Sequence, residues 1–302
     1  MSETILVTGA SGFVGRHLAS LLLARGYRVV GLDRGPDLNL PDGVEPLLAD
    51  LQDPTSLAGI SRTWDGVIHL AGASIPSLFS NPAPVVFNLE ITLNLLHHLR
   101  DSRVLLVSSC HVYAPSTTRR KESDPILPQG LYGLSKHLVE QVAPHYQGRL
   151  DVRVARPYNH LGPGLRPELM VPSLLRRLSA LTPGDDSPLL MEGLNSTRDF
   201  IDVRDVVSAY VAILETDSSK GGTFNVCTGK GYAIKDVVAT AMDLLGRRRP
   251  IQFNDRPNSS DDIPYLVGDP EQLTAATGWV ATHNLSDSLS NMLTAHSHRG
   301  TP

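Results

Sequence analysis

Thr4-Ile5-Leu6-Val7-Thr8-Gly9-Ala10-Ser11-Gly12-Phe13-Val14-Gly15 joins a short apolar run to three glycines spaced three apart, and an amphipathic segment over Gly12–Arg25 follows at once. The run, Thr4–Val7, predicts a buried strand, and the periodicity after the turn predicts a helix ended by Gly26. A strand that turns tightly into a helix aims unpaired backbone N–H groups at whatever lies beyond it, which suits an anion. Each glycine then has its own task. Gly9 permits the bend, Gly12 admits a pyrophosphate close to the backbone, and Gly15 lets helix and strand pack together. Ser11, Phe13 and Val14 fill the positions between. The spacing is GxxGxxG rather than GxGxxG, so it is the place between strand and helix that marks a dinucleotide site.

Working outward, strands are expected at Arg28–Leu32, Pro46–Ala49, Val67–Leu70, Val104–Val107 and Val152–Ala155, and helices at Val85–Arg100 and Tyr132–Tyr146. Such alternation predicts a parallel sheet covered on both faces, an α/β fold of the Rossmann-like, doubly wound kind. Beyond Arg156-Pro157 the pattern breaks into Pro- and Gly-punctuated segments, with helices expected at Val171–Ala180, Val203–Leu214 and Ile234–Leu245. We therefore expect a smaller, discontinuous C-terminal substrate-binding domain. Residues 1–157 with about 199–229 would hold the dinucleotide, and about 158–198 with 230–302 the substrate.

The 302 residues carry 27 Lys and Arg against 31 Asp and Glu, a net charge of -4, so no broad positive field exists to hold nucleic acid or an anionic membrane. Any anion must be held locally. Two cysteines far apart, Cys110 and Cys227, exclude a disulfide framework and a Cys-based zinc site, and the eleven histidines show no metal-ligand spacing. No metal is expected. No apolar run approaches membrane length and no basic segment leads into one near Met1, so a cytoplasmic location is expected.

Asp33 ends the second strand, where an acidic side chain accepts hydrogen bonds from adenosine ribose hydroxyls and favours NAD(H). Arg34 follows and suits the 2′-phosphate of NADP(H), so both cofactors stay open. Asp50 and Leu51, after the third strand, either flank the adenine or make a plain turn. Leu70, Ala71 and Gly72 end the fourth strand with residues small enough for a flat cofactor, or simply for packing.

Tyr132 and Lys136 lie four apart, on one face of a helix, where the ammonium would favour the phenolate and lower the tyrosine pKa towards working pH. Upstream, Val104–Val107 runs into Ser108-Ser109-Cys110-His111-Val112-Tyr113, with hydroxyls at the C-terminal end of a strand. Such folds place their chemistry there. The glycine turn, the Ser-Ser-x-x-Val-Tyr strand end and Tyr-x-x-x-Lys together resemble the extended short-chain dehydrogenase/reductases of the NAD-dependent epimerase/dehydratase family, which act on nucleotide-activated sugars. The resemblance implies Ser109, Tyr132 and Lys136 as catalytic residues, with Lys136 also on the nicotinamide ribose. It implies Asn88 as the helix-borne asparagine that supports them, and a homodimer joined through the helices at Val85–Arg100 and Tyr132–Tyr146.

Further along, Arg156-Pro157-Tyr158-Asn159-His160-Leu161-Gly162-Pro163-Gly164, Arg198-Asp199-Phe200-Ile201-Asp202-Val203-Arg204-Asp205 and Arg256-Pro257 resemble most the GDP-4-keto-6-deoxymannose reductases. Ser109, Asn159, Val171, Arg198 and Arg256 are then the implied substrate contacts, and arginine forks suit a diphosphate. Dehydratase relatives usually carry acidic residues where this chain has Cys110 and His111, so dehydration would lack its acid and base. His111 reads as a polar loop residue in preference to an acid/base group, and Arg247-Arg248-Arg249 as a solvated run. The expected activity is NAD(P)H-dependent reduction of a nucleotide-linked 4-ketosugar. A 4-epimerase using the same residues and a non-catalytic dinucleotide sensor are the alternatives.

Overall fold

The computed structural model describes residues 2–35, 38–180, 188–191, 196–248, 250–253 and 263–297. Six strands of one sheet come first: β1 Thr4–Thr8, β2 Arg28–Asp33, β3 Glu45–Leu48, β4 Gly66–His69, β5 Arg103–Val107 and β6 Asp151–Pro157. Helices α1 Phe13–Ala24, α2 Ala83–His98 and α3 Gly130–Val142 lie between them. The expected elements are present with ends moved by one to three residues, except that the helix expected to reach Tyr146 stops at Val142 and continues as a 3-10 turn, Ala143–Tyr146. Pro144 has no N–H to continue the α pattern onto the Glu140 carbonyl, which the Ala143 N–H takes instead.

After β6 come β7 Asn159–Leu161, α4 Met170–Ser179, β8 Leu189–Met191, β9 Thr197–Asp202, α5 Val203–Glu215 and β10 Thr223–Val226. Then follow β11 Gly231–Ala233, α6 Ile234–Leu244, β12 Ile251–Phe253, β13 Tyr265–Leu266, α7 Glu271–Thr277 and α8 Leu285–Ser297. β10 joins the large sheet as a seventh strand that the sequence reading did not anticipate, in the order β10-β6-β5-β4-β1-β2-β3. Every pairing in that sheet is parallel. Strand order reverses between β1 and β4, which opens a crevice beyond their C-terminal ends.

Alternation along each strand feeds two cores. Ile5, Val7 and Ile68 pack with Leu18 and Leu22 of α1 and with Val206, Tyr210 and Ile213 of α5. Leu6, Val67, Val104 and Leu106 face the other way, onto Ile91, Leu95 and Leu96 of α2 and Val139 of α3. Burial on both faces explains why these strands read as apolar runs rather than as alternating ones. A third cluster unites Val171, Leu174 and Leu178 of α4 with Val237 and Val238 of α6 and Leu285 and Leu289 of α8. Beside it, β9 pairs with β7, β11 and β13 in a small mixed sheet. β9 then enters α5 directly, with Asp202 accepting the Arg204 N–H at 2.9 Å as the helix N-cap. Among the described residues no helix is long and apolar enough to cross a membrane.

Candidate active site

The crevice beyond β1 and β4 is a cleft of about 600 Å³. Gly9, Ser11, Gly12, Phe13, Val14 and Gly15 line one part, Asp33, Arg34, Asp50 and Leu51 another, and Leu70, Ala71 and Gly72 a third. Tyr132 and Lys136 complete the set expected from sequence. Gly9 has φ +68°, and a Cβ there would stand 2.9 Å from the Ala71 nitrogen. A Cβ on Gly15 would strike the Gly9 carbonyl and lie 2.7 Å from that of Ala10, so α1 approaches the turn only because this position is bare. No acidic side chain occupies the first turn of α1, which leaves its positive end open to an anion. The Asp33 carboxylate accepts from the Ser11 hydroxyl and from the Arg34 N–H at 2.9 Å, tying the end of β2 to the glycine turn. Asp50 accepts the Gln52 N–H at 2.9 Å, so it is a turn residue that also lines the cleft.

Tyr132 reaches the cleft because α3 starts against the loop after β5. Gln129 N–H donates to the His111 carbonyl at 2.9 Å, and a side chain at Gly133 would collide with that same carbonyl. The phenol ring meets Phe79 and His111 edge-on, each with centroids 5.4 Å away. Ser109, N-cap of the short turn Cys110–Val112, stands beside the Tyr132 phenol, near enough to favour its phenolate. Lys136, buried, donates from Nζ to the Val107 carbonyl at 3.1 Å.

The electrostatics correct one expectation. Burial pushes the Tyr132 phenol up to about 12 against the favourable contact with Ser109, and Lys136 is not among the groups that lower it. The ammonium is turned to a backbone carbonyl and is itself desolvated, which brings Lys136 down to about 8 despite the nearby Glu140 carboxylate. The phenol therefore holds its proton across the neutral range. Asn88, 2 % exposed on α2, clamps this wall. Its Nδ2 donates to Ser135 Oγ at 2.7 Å and to the Ala73 carbonyl at 3.0 Å, and its Oδ1 accepts the Ala73 N–H at 2.7 Å.

Next to the cleft lies a second cavity of about 430 Å³. Ser109, Asn159, Val171 and Arg198 line it, and Tyr132 lines both cavities. Arg256 lies outside the described residues. Asn159 Nδ2 donates to the Asp199 carbonyl at 3.2 Å, and Arg198 Nη1 to the Thr197 carbonyl at 3.1 Å. No described residue lining this cavity is Asp or Glu.

The model of the NAD dependent epimerase/dehydratase family matches residues 5–227. The chain belongs to this family. A GDP-6-deoxy-D-mannose reductase from Pseudomonas aeruginosa is 31% identical, with 97% of each chain covered. A GDP-6-deoxy-D-talose 4-dehydrogenase from Aggregatibacter actinomycetemcomitans is 30% identical over 91% of each. The solved structure of RMD from Pseudomonas aeruginosa complexed with NADPH superposes with a TM-score of 0.84 at 29% identity, covering 99% of this chain and 100% of that one.

As a member of the epimerase/dehydratase family, the chain is an enzyme that works with NAD(H) or NADP(H). The cleft fits such a group: an uncapped helix end, bare glycines and the buried, unpartnered Ser108 hydroxyl all stand along it. Several lining residues escaped the sequence reading. His111 is no solvated loop residue; burial, with Arg198 nearby, lowers it to about 4, and it faces Tyr132. His160, Arg166 and Tyr210 line the cleft from β7, the loop after it and α5. Asp199, between the lining residues Arg198 and Phe200, is buried and accepts the Thr228 hydroxyl at 2.7 Å, the Gly229 N–H at 2.9 Å and the Gly268 N–H at 3.4 Å. Its only local signal was the acidic residue in Arg198-Asp199-Phe200. Arg247, expected to be solvated, donates to the Leu178 and Ser179 carbonyls at the end of α4 at 2.8 and 3.0 Å.

Proposed function

We propose that the enzyme reduces the 4-keto group of a nucleotide-activated 6-deoxy-4-ketohexose, as a GDP-4-keto-6-deoxymannose reductase does, with Tyr132 as the proton donor. The observation that carries this reading is the place of Tyr132, on the wall shared by the dinucleotide cleft and the second cavity, with Ser109 beside it. When bound, the nicotinamide dinucleotide supplies hydride to the ketone carbon. Tyr132 gives its proton to the ketone oxygen, which Ser109 hydrogen-bonds and orients. A phenol near 12 is protonated at neutral pH and is still acidic enough to protonate a developing alkoxide. Lys136 holds the nicotinamide ribose and Asn88 keeps α3 in register with the wall of the cleft.

Gly9, Ser11, Gly12, Phe13, Val14 and Gly15 carry the pyrophosphate on this reading, Asp33, Arg34, Asp50 and Leu51 the adenosine, and Leu70, Ala71 and Gly72 the flat middle of the cofactor. In the second cavity Arg198 serves the diphosphate, and Asn159 and Val171 the sugar and its linkage. The absence of Asp and Glu from the described lining favours an anionic substrate and gives dehydration no carboxylate acid or base. The segments 158–198 and 230–302 form the substrate side. Exposed apolar residues on α2 and α3, Val86 at 63% and Leu134 at 38%, support a homodimer through these helices. Two free, buried cysteines accord with a reducing, cytoplasmic setting.

The test is incubation of purified protein with GDP-4-keto-6-deoxymannose and NADPH or NADH, following reduced nicotinamide by absorbance and the sugar by NMR. One-for-one consumption with formation of the 6-deoxyhexose is expected. Sugar conversion without net consumption would instead make the enzyme an epimerase. Turnover confined to dTDP-linked ketosugars would refute the choice of base.

A further inference from the structure

Leu6 and Val67 are paired across β1 and β4 on the face turned to α2, and the next pair along that face, Thr8 and His69, is polar. Both are buried, as is Thr92 on α2. Thr8 Oγ1 stands 2.7 Å from His69 Nδ1, and His69 Nε2 stands 3.1 Å from Thr92 Oγ1. Apolar side chains would fill this place without losing any hydrogen bond to water, so three polar ones are stable there only as a fully satisfied set. None of the three is among the described residues lining either cavity.

The hydrogens of this set can be placed one by one. Thr92 Oγ1 donates to the Asn88 carbonyl at 2.7 Å, one turn back on α2, so towards the imidazole it can only accept. His69 Nε2 therefore carries a hydrogen. Burial and the charge of Lys136 bring His69 down to about 3, so the ring is neutral and its bare Nδ1 accepts the Thr8 hydroxyl. Thr8 Oγ1 in turn accepts the Ala71 N–H at 3.2 Å. Every hydrogen points the same way, from Ala71 through Thr8, His69 and Thr92 to Asn88. At one end Thr8 leads directly into Gly9 of the dinucleotide turn. At the other, the Asn88 side chain holds Ala73 and Ser135, and Ser135 lies between Tyr132 and Lys136 on α3. We infer that His69, locked as its Nε2–H tautomer, is a positioning residue that sets the glycine turn in register with the wall carrying Tyr132 and Lys136. The inference needs the dinucleotide but no particular sugar, so it stands or falls apart from the proposed reductase activity.

Long-range proton–nitrogen correlation spectra of protein containing isotope-labelled histidine test the tautomer, with His69→Asn identifying the signal by its loss. A slowly exchanging Nε2–H beside an unprotonated Nδ1 is expected at neutral pH. A hydrogen on Nδ1, or a ring averaging between the two forms, overturns the assignment. Thr92→Val keeps the shape and deletes the hydroxyl, and it tests the register. Although Thr92 lies outside both cavities, the Kd for NADPH and NADH, measured by fluorescence titration, should rise about three- to tenfold. Thr8→Val should act in the same way, and the pair together should cost less than the product of the single effects, because both hydroxyls act through one imidazole. His69→Asn keeps an acceptor near the position of Nδ1, so it should bind dinucleotide more tightly than His69→Leu. Should Thr92→Val fold poorly, Thr92→Ala carries the comparison. A purely structural role would lower the thermal midpoint of these variants and leave the Kd of the folded fraction within about twofold, which would overturn the inference. Strictly multiplicative effects in the pair would overturn it too.

Discussion

Lys136→Met is expected to stabilise the ligand-free protein at neutral pH while crippling it as an enzyme. The folded lysine is held at about 8, below the 10.5 of a free lysine side chain, with desolvation the main cause and the Glu140 carboxylate opposing it. A folded pKa below the unfolded one means that the unfolded chain binds more protons between those values, so the lysine opposes folding below about 8 and that opposition fades as pH rises to 10.5. At about 1.4 kcal/mol per tenfold change in proton affinity, the penalty at pH 7 is roughly 3 kcal/mol, and below about 1 kcal/mol by pH 10. Losing the bond from Nζ to the Val107 carbonyl, 3.1 Å long, takes back about 1 kcal/mol. Urea unfolding at pH 7 should then show the variant more stable by roughly 2 kcal/mol, with the advantage gone near pH 10. The same variant should bind dinucleotide weakly and turn over slowly. A stability difference that does not change between the two pH values would refute the placement of a desolvated ammonium at this site.

Tyr132→Phe should lower turnover by about 10²–10⁴ with cofactor affinity largely kept, as steady-state kinetics and a binding titration would show; unchanged turnover would remove the phenol from the chemistry. Asn88→Ala deletes three hydrogen bonds between α2, Ala73 and Ser135, and should cost roughly 2–3 kcal/mol in urea unfolding, whereas a loss under about 0.5 kcal/mol would mean the clamp is ornamental. Gly15→Ala drives a methyl onto the Gly9 and Ala10 carbonyls, so dinucleotide binding by calorimetry should vanish and stability fall by about 1–3 kcal/mol. Normal binding in that variant would contradict the tight approach of α1 to the turn.

The parts of the fold legible in sequence were those written in local chemistry. The apolar strands, the glycine turn and the amphipathic period of α1 to α3 each depend on neighbours within a few residues, and their predicted ends were off by no more than three positions apart from the tail of α3. β10 escaped because Thr223-Phe224-Asn225-Val226 is short and contains a buried asparagine. Asn225 is tolerated there because its side chain accepts the Tyr113 hydroxyl at 2.7 Å and donates to the Arg120 carbonyl at 2.8 Å. The three-residue strands β7, β8, β11 and β12 escaped for a related reason, since none is long enough to show a period. Within the site, Tyr132, Lys136 and Ser109 were visible as a pattern, whereas Tyr210 read as one more apolar position of an amphipathic helix.

By itself, the sequence determined that a dinucleotide cleft exists at the end of β1 and which residues line much of it, because turn geometry and helix spacing are local properties. Only the tertiary structure decided the charge states within it. Desolvation sums over every element packed around a group, so burial keeps the Tyr132 proton on and weakens the hold of Lys136 on its own, against the simple expectation from two residues four apart.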